Sequence, residues 1–365
     1  MTGVALSDMA AKTGPKGPEV MEQRGGRGRL HRTAMLAAAV VILFFASVLL
    51  GSYTVTISDF FTIVINHLTG GAKIPGASFI VMENKLPRAV IGTLIGIAFG
   101  LAGALFQTML RNPLASPDVI GISSGASAAA VVAIVVFGVS GAAVSAAALA
   151  GALAVAALIY AISRGARRTG RGTAAGNRLV LAGVGTAAAL QAVVSFLMTR
   201  ADIRTAADAL VWLNGSLNSA NWDRAGILFL ALAALLPATG LIAGPLRILE
   251  LGDDAAAGLG VRVNTARLAL VVVAVSLAAV ATAAAGPVSF VAFLAGPIAR
   301  RFTGKASLPA SAMVGALIVL AADYFAANLA PLFLGGTVLP VGVVTGALGA
   351  PFLLWLLVTA NRKDA

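Results

Sequence analysis

Long apolar runs separated by short polar breaks organise this chain. Ten runs stand out, at residues 33–51, 89–110, 119–138, 141–162, 179–198, 225–243, 268–285, 288–298, 308–329 and 341–360. A helix of roughly 20 apolar residues crosses a hydrocarbon core about 30 Å thick. All the runs but 288–298 reach or approach that length. The pattern predicts an all-α integral membrane protein with about ten transmembrane helices. The first run is longer than the hydrophobic region of a secretory signal, about 7–15 residues, and reads as an uncleaved span. Residues 1–32 are basic and Gly-rich and read as a disordered cytoplasmic tail. Residues 33–360 form the membrane domain, and 361–365 a second short tail.

Run 89–110 carries the densest signal. Lys85-Leu86-Pro87-Arg88 precedes it. Gly92, Gly96, Gly100 and Gly103 recur at helical spacing, placing missing side chains on one face, with Gln107 one turn further on. Such a face either packs closely against another backbone or gives a pathway a smooth lining. Arg111-Asn112-Pro113 ends the helix, because the residue before a proline leaves the α region. Ser116 as N-cap, Pro117 in the first turn and Asp118 at the positive end of the dipole predict the next helix start. Gln107 with Asn112, Ser116, Ser123 and Ser124 forms a candidate ring of weak polar contacts near the cytoplasmic side.

Composition agrees with a membrane protein. The chain is 59% hydrophobic and 11% charged, whereas soluble domains carry about 25% charged residues. No cysteine is present, which excludes disulfides and thiol chemistry, and His31 and His67 are too few and too far apart to suggest a metal site. The net charge of +12 invites a nucleic-acid reading, but its distribution follows membrane topology instead. With the N-terminus inside, 20 of the 26 Lys and Arg fall on inner segments. Lys73, Lys85, Arg88, Arg200, Arg204 and Arg224 remain outside. That split satisfies the positive-inside rule with both termini cytoplasmic, and no nucleic-acid partner is expected. No GxxxxGK[ST] loop occurs: Phe302-Thr303-Gly304-Lys305-Ala306 lacks the upstream glycine and the hydroxyl. ATP-driven work would need a separate ATPase chain.

The inner loop 245–267 has its own pattern. Leu246, Ile248, Leu249 and Leu251 are apolar, Gly252 breaks the segment, and Asp253 can cap a short helix running through Ala257 to Gly260. A helix–glycine–helix along the membrane surface suits docking into a groove on a soluble partner; an ordinary connector is the alternative. Asp323 lies in the outer part of run 308–329, where an unpaired carboxylate costs about 2.5–3.5 kcal/mol. It reads either as a pathway-lining residue or as a partner for a neighbouring helix. A single acid at that depth argues against ion-driven secondary transport and against an intramembrane enzyme, both of which need further titratable groups.

At these residues the chain resembles the permease subunits of bacterial ABC importers for iron–siderophores, haem and vitamin B12, the FecCD-type family. One block is Leu86-Pro87-Arg88 with the glycine helix, Gln107 and Asn112-Pro113-Leu114-Ala115. Others are Gly121-Ile122-Ser123-Ser124-Gly125-Ala126, and Leu251-Gly252 through Ala257 to Leu259-Gly260. The last joins Gly286-Pro287-Val288-Ser289-Phe290 and Ile298-Ala299-Arg300 to Leu339-Pro340-Val341-Gly342 and Gly349-Ala350-Pro351-Phe352.

The resemblance covers roughly residues 33–360 and implies a type II ABC importer permease of the cytoplasmic membrane, with an iron–siderophore as the expected cargo and haem or vitamin B12 as alternatives. It implies a homodimer, or a heterodimer with a second permease, around a central pathway. No cofactor belongs to this chain, since the partner ATPase subunit binds ATP and Mg. Leu251, Gly252, Asp253, Ala257, Leu259 and Gly260 become the ATPase-coupling residues. Lys85 and Arg88 become docking residues for a substrate-binding protein on the outer face, with interfacial snorkelling as the alternative. Gly96, Gly100, Gly103, Gln107, Asn112, Pro113, Ser123 and Asp323 belong to the pathway or to the packing around it. Three positions depart from the family pattern. Ala327 stands where a further arginine is expected, Val338 where an acid is common, and Gly296-Pro297 where a Pro-His pair occurs. The first two, missing together, fit the loss of a local ion pair.

Overall fold

The computed structural model describes residues 18–72, 74–118, 120–165 and 174–361, and every regular element among them is helical. Residues 1–17 of the expected tail lie outside the described residues, as does Lys73. Helix α1 (Pro18–Leu49) begins within the segment expected as a tail. Helix α2 (Ile57–Thr69) follows, its first turn capped by the Thr56 hydroxyl. A short α3 (Ala77–Phe79) and a π-helical turn, Ile80–Lys85, run directly into α4 (Leu86–Leu110). Next come α5 (Ile122–Val135), α6 (Ala142–Gly165), α7 (Ala174–Arg200) and α8 (Ile203–Leu213). They are followed by α9 (Trp222–Leu249), α10 (Asp253–Gly258), α11 (Val263–Ala285) and α12 (Val291–Thr303). Helix α13 (Leu308–Tyr324) passes through a second π-helical turn, Phe325–Leu329, into α14 (Ala330–Phe333), and α15 (Val341–Asn361) closes the fold.

Among the described residues, 7 helical stretches are long and apolar enough to cross a membrane: His31–Leu49, Ala77–Leu110, Ala142–Ile162, Leu181–Arg200, Trp222–Leu249, Val263–Ala285 and Leu308–Phe333. Two shorter apolar stretches, Ile122–Val135 and Val341–Trp355, join them, while α12, with 13 residues and with Arg300 and Arg301 in its last turn, is too short and too charged to count with them. Run 288–298 proves to be helical only from Val291, because Gly286 (φ 77°) and Phe290 (φ 65°) turn the chain first.

Helix α4 is the axis of the bundle. In its most apolar window 78% of residues are buried, against 17% in α1 and 11% in α7. Helices α13, α11, α12 and α9 pack around it. The glycine spacing makes this possible. A methyl group at Gly96 would collide with the Ala316 backbone, one at Gly100 with the Ser311 carbonyl, and one at Gly103 with the Ala292 carbonyl. The face is therefore used for backbone-to-backbone approach. Gln107 continues it by donating from Nε2 to the Phe293 carbonyl at 3.0 Å. Gly296, at one departure from the family pattern, leaves the space that the Gln107 Oε1 fills.

The start of α5 differs from expectation. Ser116 does not cap it; the chain makes a further turn, and Gly121 (φ 86°) is the N-cap. The left-handed glycine cannot lie inside a helix, so the first turn starts at Ile122. Asp118 still serves this helix end, by accepting from the Ser123 hydroxyl.

Candidate functional site

Two charge clusters mark the ends of α4. At the end expected outside, Arg88 donates from Nε and Nη2 to the two carboxylate oxygens of Asp323, each at 2.8 Å, and from Nη1 to Asn218 Oδ1 at 2.9 Å. Asp323 is only 6% exposed. It is thus the partner of a neighbouring helix, held by a bidentate, charge-assisted pair. Lys85 donates to the carbonyls of Leu50, at 2.8 Å, and Tyr53 in the connection between α1 and α2. Both cations expected at a docking surface are accordingly engaged within the chain.

Lys85, Arg88 and Asp323 line a cavity of about 430 Å³, together with Asn84, Asn218 and Asn328. Ala327 and Val338 line the same cavity, so the two charges absent from the family pattern are missing from one place. Both π-helical turns contribute wall residues: Asn84 and Lys85 from the first, Ala327 and Asn328 from the second. A π turn disturbs the backbone ladder, and here side chains take up carbonyls beside each one. Trp222 Nε1 donates to the Met82 carbonyl at 2.6 Å, and Asn328 Nδ2 to that of Tyr324 at 3.1 Å. Asn328 Oδ1 also accepts the Ser52 N–H at 3.1 Å, tying the α1–α2 connection to this rim.

At the opposite end, Asp253 does not cap α10. Gly252, with φ 117° and ψ 156°, is the N-cap, a conformation only glycine adopts readily. The Asp253 carboxylate instead accepts from Arg111 Nη2 at 3.1 Å and from Arg267 Nη2 at 3.0 Å. Two converging guanidiniums attract it more strongly than the short helix of six residues does. Leu246 and Leu249 are buried as the last turn of α9, so the expected helix pair is a span end followed by a short tip. On that tip Leu251 and Leu259 are 68% and 63% exposed. Ala257 and Gly260 are exposed beside them, while Ala256 faces inward.

Three members of the candidate polar ring are engaged within the chain. Gln107 bonds to α12, Ser123 to Asp118, and Asn112 Oδ1 accepts the Leu114 N–H at 2.9 Å beside Pro113. Asp118 lies half-buried between spans, and desolvation pushes its carboxyl above the usual range, partly offset by the Ser123 hydroxyl. Asp202, the exposed N-cap of α8, is lowered by the N–H and hydroxyl of Thr205.

The FecCD transport family model matches residues 39–359. Over 188 residues the chain is 43% identical to the ferric enterobactin transport system permease protein FepG of Escherichia coli (strain K12), covering 51% of this chain and 56% of that protein. It is 37% identical over 187 residues to the iron(3+)-hydroxamate import system permease protein FhuG of Bacillus subtilis (strain 168), covering 50% and 54%. It is 35% identical over 184 residues to the Fe(3+) dicitrate transport system permease protein FecD of Escherichia coli (strain K12), covering 50% and 56%. The chain thus spans about half the length of the curated relatives it matches. A solved structure of a metal-chelate type ABC transporter in an inward-facing conformation shares the fold, with a TM-score of 0.75, 23% identity, and coverage of 90% of this chain and 98% of that one.

Proposed function

The chain belongs to the FecCD transport family, and we propose that it is the membrane-spanning permease of an ATP-driven importer carrying iron–siderophore complexes across the inner membrane. The observation that carries this reading is the common cargo class of its relatives, which are named for ferric enterobactin, ferric hydroxamate and ferric dicitrate. The site geometry suits the role. The apolar tip of Leu251, Ala257 and Leu259 offers a small hydrophobic anchor for a groove on an ABC ATPase. The opposite end, with its polar cavity, faces a substrate-binding protein. Both termini lie in the cytoplasm, and a second permease, identical or related, completes the pathway.

In this mechanism ATP binding closes the ATPase pair and pushes the α10 tips. The bundle responds by exchanging an outward opening for an inward one. The chain contributes no cofactor; ATP and Mg sit on the ATPase. Lys85 and Arg88 shape the docking rim through the cavity they hold open rather than as free surface charges.

Cells lacking this chain, with and without its restoration, are given ferric enterobactin, a ferric hydroxamate and ferric citrate labelled with radioactive iron. Uptake of at least one that is lost and then restored supports the reading. Unchanged uptake of all three, with haem or vitamin B12 import impaired instead, overturns the cargo.

A further inference from the structure

Three observations at the inner end of α4 converge on one contact. The first is the backbone of Arg111. It ends α4 in a left-handed conformation, φ 50° and ψ 35°. The Arg111 N–H bonds to the Thr108 carbonyl and the Asn112 N–H to that of Gln107, the pattern of a helix end where glycine usually stands. Among the described residues only Arg111 and Phe290 are non-glycines with positive φ. An arginine in this place is unfavourable for the backbone, so its side chain must supply the reason for it.

The second is where that side chain goes. It reaches Asp253 at 3.1 Å, across to the first residue of α10, and passes over Gly252. The third is the other arm. Arg267, in α11, holds the same carboxylate at 3.0 Å, yet its Nε is buried with no hydrogen-bond partner. Buried donors in that condition are rare in folded proteins and cost free energy.

We infer that Asp253 is a positioning residue for transport: clamped by Arg111 and Arg267, it is the joint through which displacement of the α10 tip moves α4 and α11 together. The inference rests on the importer reading and adds to it the route by which force enters the bundle. Leu251 and Leu259 meet the partner; Asp253 passes the motion on. Because α4 runs unbroken from Arg111 back to Arg88, the joint addresses the outer cavity directly.

Arg111→Gly separates this role from folding. Glycine suits the left-handed cap better than arginine does, so the helix end is kept while one arm of the clamp is removed. Asp253→Asn removes the charge, and Asp253→Glu restores it. Each variant is purified with its ATPase and permease partners, placed in vesicles with the binding protein, and supplied with whichever of the three labelled ferric complexes the wild type imports. Iron imported and phosphate released are measured together. Arg111→Gly is expected to lower iron imported per ATP hydrolysed about tenfold while ATP hydrolysis stays within about twofold; Asp253→Asn is expected to lower the same ratio, with Asp253→Glu recovering most of it. An unchanged ratio in Arg111→Gly overturns the inference alone. A wild-type complex that imports none of the three overturns the iron–siderophore reading on which the inference rests, and the inference with it.

Discussion

At one end of α4, Arg88 meets a single carboxylate in a buried bidentate pair; at the other, Arg111 shares an accessible carboxylate with Arg267. The side chains of Arg88 and Asp323 are 17% and 9% exposed, those of Arg111 and Asp253 47% and 39%. The same chemistry therefore does different work. A buried pair resists separation, because pulling it apart leaves a charge stranded in a medium of low polarity. An accessible pair is worth little in stability, since water can replace either partner. The outer cluster fixes α4 to α13 and holds a cavity open. The inner cluster can slide or re-form at small cost, which is what a moving joint needs.

Breaking the outer pair should have the largest effect. Asp323→Ala leaves the Arg88 guanidinium without its acid and is expected to cost about 3–5 kcal/mol, whereas the joint replacement Arg88→Met, Asp323→Leu should return most of that loss. Thermal unfolding of the purified complex in detergent reads both. A double variant as unstable as the single one would contradict the scaffold role of the outer end. Crowding the axis comes next. Gly100→Leu drives a side chain into the Ser311 carbonyl and should cost about 1–3 kcal/mol or more, read in the same melt. At the inner end Asp253→Ala should change stability by only about 0–1 kcal/mol while uncoupling iron uptake from ATP turnover. A large drop in melting temperature there would erase the contrast between the two clusters.

The smallest effect is expected at Asp118. Burial raises its carboxyl pKa in the native state, so the folded chain holds that proton more tightly than the unfolded chain does. Its contribution is present at acid pH and is lost as pH rises through the raised native value. Asp118→Asn should therefore be the more stable chain at neutral pH and converge with the wild type in acid. A melt series across pH checks the sign.

The all-helical membrane architecture was legible because apolar length is a property of the chain alone. The glycine face of α4 was legible as a face, but its choice between packing and lining depended on the Ala316, Ser311 and Ala292 backbones, which come from distant runs. Lys85 and Arg88 were visible as cations at a span end; their acceptors, Leu50, Tyr53 and Asp323, are set by tertiary approach. One signal for the Arg88–Asp323 pair was available. Two lone, opposite charges lay at the outer ends of apolar runs, and charges at that depth pair with one another. Asp253 looked like a cap because caps are local, while Arg111 is 142 residues away in sequence. The π-helical turns left no local mark, since their geometry is held by the long-range contacts of Trp222 and Asn328.

The joint and the cavity are linked only if α4 carries motion between them, and the absence of cysteine from the chain makes that measurable. A single cysteine placed at Ala327, on the cavity wall, is titrated with a membrane-impermeant maleimide in vesicles holding the full transporter, with and without ATP. With the clamp intact, ATP should change the labelling rate about fivefold or more, and with Arg111→Gly the rate should no longer respond. The same ATP response in both chains would show that the outer end moves without the Asp253 joint.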